Sequence, residues 1–171
     1  MKYLIIFIFS ALCIVSCQDN LSSELPSEEQ IKLIKQKDHR LFHATLRKQL
    51  QATASRDLET LKTLMNPDGL MHMIRPDTPI IYGTDSYLNY HESWFSDPNW
   101  SIKTAITDSQ VGNEIGMALV SLRYEIPDVN GHPYWNELTV SYVLKKYDDK
   151  WFVISDHSSS IRESPMPSKG K

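Results

Sequence analysis

The side chains best able to do chemistry in this chain are its six histidines and two cysteines. His157 stands at the polar end of a hydrophobic run that begins at Trp151, with serines on both sides of it. An imidazole titrates near neutrality and can give or take a proton, so His157 is the leading candidate for acid–base work. The plainer alternative is a structural histidine whose ring nitrogens are satisfied at a strand end. Asp156 is its neighbour, but alternation points adjacent strand residues to opposite faces, so the two do not read as an Asp–His pair. His39 and His43 lie four apart on a helix and can both reach one metal ion. No Glu separates them as in H-E-x-x-H and no third ligand is evident, so they read as a solvated helix face. No metal or other cofactor is expected. His91, inside an apolar helical stripe, reads as a core or rim residue. His72, on a short strand, either lines a pocket or packs. Trp94, Phe95 and Trp151 read as core.

Cys17 carries a different kind of chemistry. Lys2 gives a short positive start, and Tyr3 to Val15 is almost wholly apolar. That run is too short for a membrane span, which needs roughly 20 residues, and it fits a secretory signal. It ends in Ile14-Val15-Ser16-Cys17, which resembles the lipobox of bacterial lipoproteins, where the chain is cut before the cysteine and the cysteine is acylated. The expected organisation is a signal peptide over 1–16, then lipidated Cys17, a tether and the projecting start of a helix over 17–37. A folded domain over 38–161 and a flexible tail over 162–171 follow. Cys13 leaves with the signal, so the mature protein has no free thiol for a disulfide. Gln18 after the cysteine resembles an outer-membrane sorting signal, facing the periplasm if the source has two membranes.

The elements that must position these residues are legible from periodicity and punctuation. Leu138, Val140, Tyr142 and Leu144 alternate with Thr139, Ser141, Val143 and Lys145. Beyond Asp148-Asp149-Lys150, Trp151, Val153, Ser155, His157 and Ser159 alternate with Phe152, Ile154, Asp156 and Ser158. This is a long hairpin, and it should form much of the wall of any pocket. Asn130-Gly131 marks a second hairpin turn. Ser101 to Gln110 and Glu114 to Ile126 read as the remaining long strands. Upstream, Ser27 with Gln30 makes a capping box for a helix running to about Ser55, roughly 40 Å at 1.5 Å per residue. Its charged first turns are expected to project, with packing beginning near Asp38. Asp57 caps a second, short helix. Leu70 to Ile74 and Ile80 to Tyr82 are short strands, and a third helix starts at Thr84 or Asp85 and buries Tyr87, Leu88, His91, Trp94 and Phe95. With 171 residues, 41% hydrophobic and 23% charged, the chain is globular, and its net charge of −3 with no basic run interleaved with aromatics excludes nucleic acid as a partner.

Helices followed by a run of long antiparallel strands make an α+β arrangement. Asp57 after the first helix, Gly83-Thr84-Asp85 before the third, the turn from Asp128 to Pro133 and the ending DDKWFVISDHSS together resemble the superfamily of nuclear transport factor two, ketosteroid isomerase and the SnoaL-like proteins. The ending is similar to the D-G-K-W-x-I-x-x-x-H-x-S close of the SnoaL-like subfamily and of the association domain of calmodulin-dependent kinase. The resemblance covers roughly residues 38–161. It implies a cone-shaped fold, three N-terminal helices packed on a strongly curved antiparallel sheet around one apolar pocket.

Carried across, the resemblance implies inward Trp151, Val153, Ser155, His157 and Ser159 on the last strand. It implies inward Asn136, Leu138, Val140 and Tyr142 on its partner, and Ala118, Val120, Leu122 and Tyr124 on the strand before. The residues expected to meet a small hydrophobic ligand are Tyr87, His91, Trp94, Leu122, Tyr142, Trp151 and His157. Leu122 and Tyr142 stand where the association domain has arginines, which argues against an anion held by an arginine pair. No inward aspartate is evident on the strands, so an enzyme of this type would use His157 or His72 as base and Tyr142 as hydrogen-bond donor. The leading functional reading is a lipid-anchored envelope protein that binds a small hydrophobic ligand or serves as an assembly module; the alternative is an acid–base isomerase, cyclase or hydratase. The resemblance also implies a homodimer through the outer sheet face, where Trp135, Val143, Phe152 and Ile154 are expected to point.

Overall fold

Ser27 and Gln30 open the first element as the capping box requires. The Gln30 amide donates to the Ser27 hydroxyl oxygen at 3.3 Å, and the Ser27 amide donates to Gln30 Oε1 at 2.8 Å. In the computed structural model, which describes residues 25–76 and 78–165, helix α1 runs Glu28–Ser55. Residues 25–37 are exposed, and Asp38 is the first buried position. There Lys146 donates to the Asp38 carboxylate at 2.7 Å, which pins the helix to the sheet where packing begins. Beyond it Phe42, Leu46, Gln49 and Thr53 keep helical spacing and face the core. The signal segment, Cys17, the tether to residue 24 and the tail from 166 lie outside the described residues.

Arg56 closes α1 in the left-handed conformation, φ 59°, and its guanidinium lies 4.0 Å over the Trp100 ring while donating to the carbonyls of Asp97, Pro98 and Trp100. Asp57 then caps α2 (Leu58–Lys62), accepting from the Thr60 amide at 2.9 Å. Strands β1 (His72–Ile74) and β2 (Ile81–Tyr82) precede α3 (Thr84–Phe95). Four long strands follow: β3 (Ser101–Val111), β4 (Ile115–Val129), β5 (His132–Tyr147) and β6 (Lys150–Glu163). Both tight turns place two successive residues at positive φ, Asn130 and Gly131 at 56° and 86°, Asp148 and Asp149 at 44° and 63°. Such turns twist with the strands they join, which is why they suit a tight hairpin.

The six strands form one open sheet in the order β2-β1-β6-β5-β4-β3, antiparallel except where β1 runs parallel to β6. The sheet curls round the helices, the α+β cone expected from the sequence. Its concave face contributes Ala118, Val120, Val140, Leu144, Trp151 and Val153 to a core completed by Phe42, Leu46, Leu61, Met71 and Tyr87. Phe42 meets the edge of Trp151 at 5.4 Å between centroids and lies against Gly116, where a side chain would not fit. Strand β6 continues through Arg162 and Glu163, so the chain stays in the sheet two residues beyond the expected boundary at 161. Pairing with Glu137 and Asn136 holds it there.

Strand β6 departs from strict alternation twice. Leu144 pairs with Val153 but Val143 pairs with Ser155, so Ile154 is an extra residue in a β-bulge. Glu137 pairs with Arg162 and Leu138 with Ser160, so Ile161 is a second one. Each extra residue advances the side-chain phase by one position. After the first bulge, Asp156, Ser158 and Ser160 face the concave side, and Ser155, His157 and Ser159 face out. The inward assignment of Ser155, His157 and Ser159 is therefore corrected, and so is the outward assignment of Asp156.

Candidate active site

Between the concave face of the sheet, α3 and the end of β1 lies a cavity of about 560 Å³. The register fixes its depth. Tyr142 opposite Asp156 forms the inner end, Val140 opposite Ser158 and Leu138 opposite Ser160 the middle, and Asn136 opposite Glu163 the rim. Leu122 and Tyr124 of β4 and Ile102 of β3 make one wall; Met73, Arg75 and Pro76 make the other, with Tyr90, His91 and Trp94 of α3 across the top. The surface is mainly apolar, with a few convergent polar groups, the usual character of a small-molecule site.

Asp156 is the group that most changes the chemistry of this cavity. It is 7% exposed and, among the described residues, makes no ion pair within 4 Å. Burial pushes its carboxyl from an ordinary 3.8 up to about 7, against the opposing influence of a Tyr87 hydrogen bond and the Arg75 charge. Near neutrality the group is thus divided between acid and base, the condition in which proton transfer in both directions is most effective. Tyr87 is fully buried behind it. Gln49 Nε2 donates to the Tyr87 oxygen at 2.9 Å, which leaves the tyrosine hydrogen free to donate to Asp156. Tyr142, opposite on β5, has its hydroxyl raised far above the ordinary value by burial and then by the Asp156 charge, so it stays an O–H donor.

His91 is also buried. Its Nδ1 lies 2.9 Å from the Tyr87 carbonyl, which can only accept, so Nδ1 carries the hydrogen and Nε2 is the bare nitrogen of the neutral ring. Burial brings its pKa down to about 4, so the ring is neutral where Asp156 titrates. At the rim, Tyr134 donates to Glu163 at 2.6 Å, and burial with that carboxylate moves the phenol to about 12. Asn136 donates to Ser160 at 2.9 Å.

The structure distributes the residues named from the sequence as follows. Leu122, Tyr142, His91 and Trp94 line the cavity. Tyr87 and Trp151 are core residues behind it, Trp151 packed on Phe42. His157 is exposed on the outer face opposite Ser141, displaced by the Ile154 bulge, and does not share a site with Tyr142. His72 points away from the cavity that its neighbour Met73 lines, and meets the edge of Tyr82 at 5.4 Å. His43 bonds to the Ser109 hydroxyl at 3.0 Å, beside His39. Among the described residues no group of three or more His, Cys, Asp or Glu is placed to hold a metal ion. Asp156 and Arg75 are the residues that sequence reasoning missed. A carboxylate at the polar end of a hydrophobic strand was the available signal for the first; Arg75 had none beyond its position two residues after Met73.

A family model described as a SnoaL-like domain matches residues 43–163. No curated protein matches the chain in sequence. Among solved structures, a type 2 hexachlorocyclohexane dehydrochlorinase is similar with a TM-score of 0.66 at 10% identity, covering 81% of this chain and 95% of that one. A dehydratase candidate of the nuclear transport factor two-like family from Streptomyces avermitilis gives 0.63 at 18% identity, covering 74% and 99%. A ketosteroid isomerase-like protein from Erwinia carotovora atroseptica gives 0.60 at 17%, covering 74% and 96%. At these identities the likeness shows the fold.

Proposed function

The chain belongs to the SnoaL-like family, and from that premise we propose that it is an acid–base enzyme acting on a small, largely apolar carbonyl compound, with Asp156 as the proton-transfer group. The observation that supports this reading is a buried carboxyl, without an ion-pair partner among the described residues, at the inner end of a mainly apolar cavity. As carboxylate it takes a proton from carbon next to a carbonyl; as acid it returns one, and the Tyr142 hydroxyl opposite it donates to oxygen where charge develops. His91 Nε2, a bare acceptor across the cavity, suits a substrate hydroxyl. Isomerisation and dehydration both use these steps. The relatives named for dehydration, dehydrochlorination and isomerisation lend the reading support as analogy only.

Exchange of carbon-bound hydrogen tests it without knowledge of the natural substrate. Cyclic ketones and β-hydroxy ketones incubated with the protein in D₂O should gain deuterium next to the carbonyl faster than in buffer, followed by proton NMR. A ketone that binds, shown by ligand-detected NMR, and yet exchanges only at the buffer rate would leave a binding protein instead.

From the lipobox-like segment ending at Cys17 we further propose that the domain is anchored to a membrane as a lipoprotein of the cell envelope. Cys17→Ser should abolish fatty-acid labelling and leave the protein unprocessed or released; full labelling and membrane retention in the variant would remove the anchor. One acyl chain holds a protein only marginally, so the several chains of a lipoprotein are what this anchoring needs. We also propose a homodimer through the outer sheet face. There Trp135, Val143 and Phe152 are only partly exposed, although Arg123 and Arg162 flank Trp135 in a network with Glu125 and Glu137. Val143→Glu with Phe152→Glu should turn a dimer into a monomer at micromolar concentration by light scattering. A wild-type protein already monomeric there would end this proposal.

A further inference from the structure

The geometry points to a carboxylate-bearing ligand, with its anionic end on Arg75 and its apolar body lying inward along Leu138, Val140 and Leu122. The inference rests on the cavity being the functional site and deepens that reading by naming the substrate class. Arg75 follows β1 in the inward phase set by Met73, and because β1 runs parallel to β6 it comes level with Ser158. That is two residues outward from Asp156, about 6.6 Å along a strand.

The guanidinium is held against Tyr90 and left short of partners. It lies 4.1 Å over the Tyr90 ring, and Nη1 donates to the Tyr90 hydroxyl at 3.2 Å. Nε is buried with no hydrogen-bond partner, and among the described residues no carboxylate lies within ion-pair distance. A guanidinium presents a planar fork that fits a carboxylate with two parallel hydrogen bonds, and a buried polar group without a partner is costly.

Two further atoms serve the same end of the ligand. Asn136 Nδ2 is spent on Ser160, so the Ser160 hydroxyl hydrogen is free to donate into the cavity. Asn136 Oδ1 beside it is buried without a hydrogen-bond partner. Among the described residues, the other charged groups lining the cavity are carboxyls, and neither neutralises Arg75 by contact. Glu163 at the rim receives the Tyr134 hydroxyl, and Asp156 lies at the inner end. This single arginine comes from the segment after β1. The sheet positions where arginines are absent, Leu122 and Tyr142, do not bear on it.

Calorimetry on the full-length protein with phenylacetate, cinnamate and 2-naphthoate, each against its primary amide, tests the assignment. At least one acid should bind roughly tenfold to a hundredfold more tightly than its amide, the range for a hydrogen bond to a charged group. Arg75→Gln should abolish that preference, and Arg75→Lys, which keeps the charge but loses the fork, should retain part of it. The lysine variant also serves if the glutamine variant does not fold. Asp156→Asn should keep or raise the preference, because it leaves Arg75 in place and removes a carboxylate that opposes an anionic ligand in the same cavity. Equal binding of acids and amides, no binding of any acid, or an unchanged preference in folded Arg75 variants overturns the inference. Since binding is read without turnover, a protein that prefers acids but exchanges no hydrogen would retain Arg75 as the recognition group and lose only the catalytic reading of Asp156.

Discussion

Asp156→Asn should lower enzyme-catalysed deuterium exchange roughly 10²–10⁴-fold, the usual contribution of a positioned general base, while making the protein more stable in alkali. The two effects share one cause. The folded protein keeps on Asp156 a proton that the unfolded chain releases near 3.8, because burial raises the folded value to about 7. Below about pH 4 both states are protonated and the carboxyl imposes no ionisation cost. Between pH 4 and pH 7 the unfolded state gains progressively, and above pH 7 the full difference applies, on the order of 4 kcal/mol. Asparagine cannot ionise, so its advantage over the wild type should grow across that window and level off beyond it. Urea unfolding of both proteins at pH 4.5, 6, 7.5 and 9 measures this, and a stability difference independent of pH would show that Asp156 is not held protonated by burial. His91 opposes the trend in the wild type. Its folded value of about 4, below the ordinary 6.5, makes acid unfavourable to the fold, so the wild-type curve should be flatter than either group alone would give.

Phe42→Ala should cost about 3–5 kcal/mol, the range for removing a fully buried aromatic side chain. Phe42 is 0% exposed, braces Trp151 and occupies the space above Gly116. A Cβ at Gly116 would stand 2.7 Å from Phe42 Cε2, so Gly116→Ala by itself should destabilise by about 1–3 kcal/mol through overpacking. In the double variant the added methyl enters the space the ring has left, and the combined loss should fall short of the sum of the two. Urea unfolding of the four proteins gives the coupling directly. Strict additivity would mean that ring and glycine do not meet. The prediction bears on the site because α1 places Gln49 and Thr53 through this contact, and Gln49 orients the Tyr87 hydroxyl toward Asp156.

Local chemistry in the sequence determined the elements. Ser27 with Gln30 started α1, Asp57 started α2, and Asn130-Gly131 and Asp148-Asp149 turned the hairpins, because each pattern satisfies backbone groups or positive φ within a few residues. The inward set from Ala118 to Tyr124 and from Asn136 to Tyr142, which the family resemblance implied, holds because alternation along β4 and β5 is preserved where those strands pair without interruption. The family could be recognised from the same punctuation. What alternation could not supply was the phase of β6 beyond Ile154. A bulge is decided by how the curled sheet closes over the helices, and one extra residue exchanges the two faces of everything after it. That exchange moved His157 to the outer surface and Asp156 into the cavity. The protonation of Asp156 and the partnering of Arg75 belong wholly to the tertiary structure, because both depend on which groups from α1, α3, β1 and β5 surround a side chain after packing has removed the water.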